Sequence, residues 1–223
     1  MPSRLGRTLA LSVLASLPVA AHAGPPLVCF PIVIGNTPSL AWGSGGGWDA
    51  ARPDYDRARL ASDTVSLLGP QTPVLVRMET LRRAAIYAAG DDAAAKGLFA
   101  ALRRRAGDAS GGRPDALAQF DLGYAVEAYR QARPVVRRSA SAGPPEDGYA
   151  LVRQALAARG PDPEMEYAAA LMTCDRSRPT GPSDEHLRAS LAGATGGSDL
   201  ARTIAAHRPL WGDRVLGLAT ATR

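Results

Sequence analysis

The chain has 223 residues, 46% of them hydrophobic and 5% aromatic, with a formal net charge of +5. That is enough apolar material for one domain or a short repeat array. The charge is too small to imply nucleic acid, and it is carried almost wholly by arginine, with Lys96 the only lysine.

Residues 1–23 have the three-part layout of a secretory signal peptide. Arg4 and Arg7 give a positive start, Thr8 to Val19 is almost free of polar groups, and Ala21-His22-Ala23 offers small residues for cleavage. The expectation is an exported protein, periplasmic or secreted, that begins near Gly24. Removing Arg4 and Arg7, with no acidic residue, lowers the charge from +5 to +3. No second apolar run of about 18 residues follows, so no transmembrane segment is expected after cleavage.

Residues 24–53 read as an irregular N-terminal arm. Val28 to Ile34 could form a short strand-like piece, limited by Pro31 to an edge or a tether. Trp42 and Trp48 flank a glycine run, which suits either an aromatic clamp for a ligand or two anchors that pin the arm to the body. The run lacks the Gly-Lys-Ser/Thr ending of a phosphate loop. Cys29 and Cys174 are the two cysteines. In an oxidising compartment they are most simply a disulfide, worth about 4–5 kcal/mol for so long a loop. Two thiols or a metal site are the alternatives, but neither His186 nor His207 stands at ligand spacing from a cysteine, and no metal or cofactor is expected.

From residue 54 apolar residues recur at helical spacing, with Gly or Pro every 12 to 20 residues or so. The pattern predicts helices over 54–68, 74–89, 92–106, 114–132, 147–159, 162–175, 184–194 and 198–207. Residues 134–146, with Pro134 and Pro144-Pro145, and residues 176–183 read as loops. Residues 209–223 read as a tail, of which Leu210 and Trp211 could dock back onto the body. Arg137-Arg138 in the first loop could touch an acidic partner.

Several helices are apolar on more than one side. Val74, Met78, Leu81 and Ala85 form one stripe of 74–89, with Leu75, Ile86, Val76 and Tyr87 elsewhere on it. Helix 114–132 sets Leu117, Phe120 and Tyr124 against Leu122, Val126 and Tyr129. Such helices must be covered on two sides. The fold class expected is therefore all-α, with helical hairpins (74–89 with 92–106, 114–132 with 147–159, 162–175 with 184–194) stacked as a short solenoid or compact array over 54–208.

Leu122-Gly123-Tyr124, with Ala128 and Tyr129, resembles the first helix of a tetratricopeptide-type repeat. Ala155-Leu156, Pro161-Asp162-Pro163-Glu164 and Tyr167-Ala168-Ala169 are similar to the end of one repeat and the start of the next. The likeness spans some 50 residues, and the loop at 134–146 breaks the usual period. It implies a scaffold-type role and assigns no functional residue.

Candidate binding residues are Arg77, Glu79, Tyr124, Glu127 and Glu166, with Trp42 and Trp48. Arg77 lies at the edge of an apolar stripe and should find a carboxylate, with Glu127 or Glu166 the natural partner. Glu79 has Arg83 at i,i+4, a pairing usual on a surface. The glutamates could serve general acid–base work in an inter-helix cleft, or form a structural ion-pair network. His186 sits beside Ser183 at a helix start, and His207 ends a helix where positive charge is favourable. No nucleophile elbow or other catalytic motif appears, so no catalytic residue is assigned. The function expected is a binding or scaffold protein for a protein or peptide partner. The alternative is a small envelope hydrolase or lyase that uses its glutamates.

Overall fold

The computed structural model describes residues 24–45, 47–107, 115–136, 143–175 and 181–212. The expected signal peptide (1–23), Arg137-Arg138 and the tail beyond Gly212 lie outside them. The described residues form ten α-helices and no strand, so the protein is all-α. The helices are α1 (Pro26–Cys29), α2 (Leu60–Leu67), α3 (Val74–Ala89), α4 (Asp92–Gly107), α5 (Ala116–Val136), α6 (Gly148–Arg159), α7 (Pro163–Met172), α8 (Pro182–Gly193), α9 (Asp199–Ala206) and α10 (Arg208–Trp211).

Packing centres on α3. Every residue of this helix is buried except Arg83. Its apolar stripes meet α5 most extensively, then α4, α2 and α7, and the arm covers the remaining side. Two of the expected hairpins, α5 with α6 and α7 with α8, are the other large helix pairs. The third is weaker, because α4 divides its packing among α2, α3 and α5.

Several boundaries differ from the sequence pattern. The helix expected from residue 54 starts only at Leu60, after a 3-10 turn at Arg57–Arg59 that Asp56 caps. The α5 helix continues through Pro134 to Val136, into the expected loop. A proline in the last turn removes one donor there and leaves the body of the helix intact. Val28 to Ile34 is not a strand: Val28 and Cys29 belong to α1, and the residues after them bond to side chains. Leu210 and Trp211 do dock back, both buried in α10.

Cys29 and Cys174 are not joined by a disulfide. The Cys29 sulfur lies against Gly24, in space that a Cβ on that residue would occupy. Hydrogen bonds to α3, α5, α9 and His207 do the anchoring expected of the bridge.

Helices α5 and α6 touch through backbone at a glycine pair. A Cβ on Gly123 would stand 2.6 Å from the Gly148 carbonyl oxygen and 2.9 Å from Leu151 Cβ, and a Cβ on Gly148 would strike Gly123 and Glu127 in turn. Gly148→Ala is therefore expected to cost about 1–3 kcal/mol by overpacking. The control is Gly97→Ala on the exposed face of α4, where a Cβ meets nothing within 4 Å. It should stabilise by roughly 0.5–1 kcal/mol, since alanine is the better helix former. Thermal melts of the two variants should move in opposite directions.

Candidate functional site

The side of α3 that faces the arm is polar. Glu79, Arg82, Arg83 and Tyr87 recur at i, i+3, i+4 and i+8, one stripe along the helix. Arg82 grips Glu79 with two bonds, Nε to Oε2 and Nη2 to Oε1, both 2.8 Å. Arg83 Nε donates to the same Oε1 at 2.8 Å. The Glu79 side chain is only 2% exposed. The i,i+4 pair with Arg83 thus forms as the spacing predicts, but it is buried, because the arm lies over it.

These side chains read the main chain of the arm. Arg82 Nη1 donates to the carbonyls of Val28 (3.0 Å) and Trp48 (3.2 Å). Arg83 Nη1 donates to Leu40 O at 2.6 Å, and the Tyr87 hydroxyl donates to Ala41 O at 2.7 Å. In the other direction, Ile32 N–H donates to Glu79 Oε2 at 3.0 Å and Arg52 N–H to the Tyr87 hydroxyl at 3.0 Å. Gln131 and Thr203 accept from the amides of Leu27 and Val33. Burial pushes the Glu79 carboxyl up, but the hydrogen bonds and charge of Arg82, with Arg83 and the Ile32 amide, outweigh it and hold the group below the usual carboxylate range.

Trp42 covers both guanidinium groups, with its ring centroid 5.2 Å from Arg82 Cζ and 5.7 Å from Arg83 Cζ. Its edge meets Tyr87, and its indole N–H donates to Gly47 O at 3.2 Å. Trp42 therefore helps seat the arm, while Trp48 lies on the far side of the glycine loop and lines a separate cleft with Tyr87 and Val135. Between the arm and α3 a cleft of about 620 Å³ remains open. Its walls are arm residues such as Ile32, Ile34 and Leu40 with Trp42, and its floor is Glu79, Arg82 and Arg83.

The other candidates lie elsewhere. Arg77 is wholly buried and its carboxylate is Asp121, not Glu127 or Glu166. Nη1 meets Asp121 Oδ2 at 2.7 Å, and Arg105 reaches the same oxygen at 3.0 Å. Arg77 also donates to the carbonyls of Thr72 and Gly69. Asp121 sits at the centre of this knot, and burial raises it to about 6 against the pull of both arginines. Glu127 bonds Arg130 and the Gly148 amide, which fixes the start of α6. Tyr124 is fully buried and its hydroxyl has no hydrogen-bond partner among the described residues. The three glutamates therefore share no site.

Two histidines have roles that the sequence reading missed. The Glu166 carboxylate accepts from His186 Nδ1 at 2.6 Å, and His186 Nε2 then accepts from the Tyr149 hydroxyl at 2.8 Å. Ser183 lies in the first turn of α8, whose cap position is Gly181. His207 is not a solvated positive charge. Burial depresses it to about 4, so it is neutral. Its Nε2–H donates to Pro31 O at 2.9 Å and its Nδ1 accepts from the Tyr167 hydroxyl at 2.7 Å, which in turn accepts from Trp211 Nε1 at 3.1 Å. One directed chain thus ties α10, α7 and the arm together.

This chain has a pH signature. The His207 folded pKa of about 4 lies below its unfolded 6.5, so the unfolded state binds the extra proton between those values. Its contribution is complete above about pH 6.5 and is lost as the pH falls towards 4, amounting to about 3 kcal/mol over that window. Asp121 acts oppositely: its folded value of about 6 exceeds 3.8, so its contribution is lost as the pH rises through 6. Urea unfolding of His207→Gln beside the unaltered protein isolates the first effect. The stability gap between them should widen steadily from pH 4 to pH 6.5.

Compared with protein-family models, with curated proteins and with solved structures, the chain matches none.

Proposed function

We propose that the protein is an exported helical-repeat module of tetratricopeptide type that binds a peptide or protein segment without transforming it. The signal-peptide pattern of residues 1–23 supports export, and the repeat-like segments at 122–129 and 155–169 support the class. The observation that carries the binding reading is the main-chain recognition along α3. Glu79, Arg82, Arg83 and Tyr87 donate to carbonyls and accept from amides of the arm, which is the chemistry of holding a peptide irrespective of its side chains. The arm fills most of that face in cis, and the cleft beside it is the space left for a ligand. Its volume lies within the range of small-ligand sites, roughly 300–1,000 Å³.

The test is titration of the protein with a degenerate pool of N-acetyl tetrapeptides, followed by tryptophan fluorescence, with mass spectrometry of the recovered pool. Saturable binding with intact peptides is the expected result. Absence of saturation would overturn the reading.

A hydrolase or lyase working through Glu166 is the second reading. One observation favours it: Glu166 orients His186, whose other nitrogen holds the Tyr149 hydroxyl, the order of groups in a proton relay. Cleavage of the peptide pool that disappears in His186→Ala would establish it in place of the first.

A further inference from the structure

Within the cleft the charges do not balance. Arg82 and Arg83 face a single carboxylate, Glu79, and among the described residues no other charged side chain lines the space. Arg82 is fully engaged: Nε and Nη2 bond Glu79, and Nη1 bonds two carbonyls. Arg83 is not. Its Nε goes to Glu79 and its Nη1 to Leu40 O, while Nη2 has no hydrogen-bond partner among the described residues. Its side chain is 19% exposed, whereas those of Arg82 and Glu79 are 1% and 2%. One guanidinium edge, fixed in place by two bonds and backed by the Trp42 ring, is therefore presented to the opening with one surplus positive charge.

We propose that this edge receives a carboxylate of a bound peptide, with Arg83 as the specificity-determining residue and Trp42 as the surface beside it. The inference rests on the peptide-binding reading above and names the group that the cleft selects. Arginine held in a fixed orientation suits a planar carboxylate, and a charge-assisted bond in a partly desolvated cleft is stronger than a neutral one. A single surplus charge matches a monoanion. Among the described residues, the lining of the cleft offers no free carboxylate to a cationic ligand group, since Glu79 is already bonded by Arg82, Arg83 and the Ile32 amide. The carboxylate can come from a chain terminus or from an acidic side chain, and the two sources are separable by experiment.

Three tetrapeptide pools make the test: N-acetyl peptides with a free C-terminal acid, the same pool amidated, and an amidated pool with aspartate or glutamate at one position. Binding is read by tryptophan fluorescence, with Trp42→Phe as the check that the signal arises at the cleft. The neutral amidated pool should bind at least tenfold more weakly than one of the acidic pools, and the stronger acidic pool identifies the source. Arg83→Gln should abolish the difference. Arg83→Lys keeps the charge and a donor towards Leu40, so it should retain part of it even where the glutamine variant proves unstable. Added salt should weaken the acidic pools selectively. Equal binding of acidic and neutral pools would overturn this inference and leave the binding function standing. Failure of all three pools to bind would overturn the reading of function on which it rests.

Discussion

Replacing Glu79 with alanine is expected to destabilise the protein by about 3–5 kcal/mol, the cost of leaving a buried charge without its partner. Arg82 is the charge in question, because its side chain is 1% exposed and Glu79 supplies its only carboxylate among the described residues. The substitution also leaves the Ile32 amide without an acceptor and frees Arg83 from its position over the cleft. Glu79→Gln should cost less, since an amide oxygen still accepts from Ile32 and from one arginine. The double variant Glu79→Leu with Arg82→Met should recover much of the loss, because both desolvation costs go with the pair. Urea unfolding of the three variants gives the comparison. A single-variant cost under about 1 kcal/mol is what an exposed pair would show, and it would mean that the arm does not cover the cluster.

Asp121→Ala should be comparably severe, about 3–5 kcal/mol for a buried pair broken on one side. It strands Arg77, which is wholly buried between α3 and α5, and removes the anchor of Arg105 from α4. Arg77 would retain its bonds to Thr72 and Gly69, both carbonyls, and so keep some partners without a counter-charge. Asp121→Asn separates charge from hydrogen bonding. Because burial already lifts Asp121 to about 6, the asparagine variant should lie closest to the unaltered protein near pH 4, where the carboxyl is protonated, and should gain on it as the pH rises through 6 and the folded carboxyl ionises. Paired unfolding curves at pH 4.5 and 7.5 read this directly. An alanine variant as stable as the original at both values would contradict the account of α3, α4 and α5 as joined by this knot.

The class of fold was legible because two-sided apolar helices leave few alternatives. Val74, Met78, Tyr87, Phe120 and Val126, all placed in the core by spacing, are all buried. The site was legible only in part. Arg77 announced itself as a charge on an apolar stripe, but its partner came from across the α3–α5 contact, and nothing local marks Asp121 beyond its position between Phe120 and Leu122. Glu79 and Arg83 looked like a surface pair because spacing along a helix does not reveal what covers it. The cover is an arm without periodicity, whose path is set by main-chain bonds that any sequence of residues could make. His186 and His207 were obscure for the same reason: their partners, Glu166 with Tyr149 and Pro31 with Tyr167, lie on other segments 20 to 176 positions away.

The central claim is that α3 holds the arm by its main chain and thereby shapes the cleft. Hydrogen exchange resolved to single amides tests it most directly. The amides of Ile32 and Val33 have no place in a helix or strand, yet they donate to Glu79 and Thr203. The account predicts that they exchange slowly, within reach of the α3 amides, and that Glu79→Gln accelerates Ile32 well before it affects the core. Exchange of Ile32 and Val33 at the rate of an unstructured chain in the unaltered protein would contradict it.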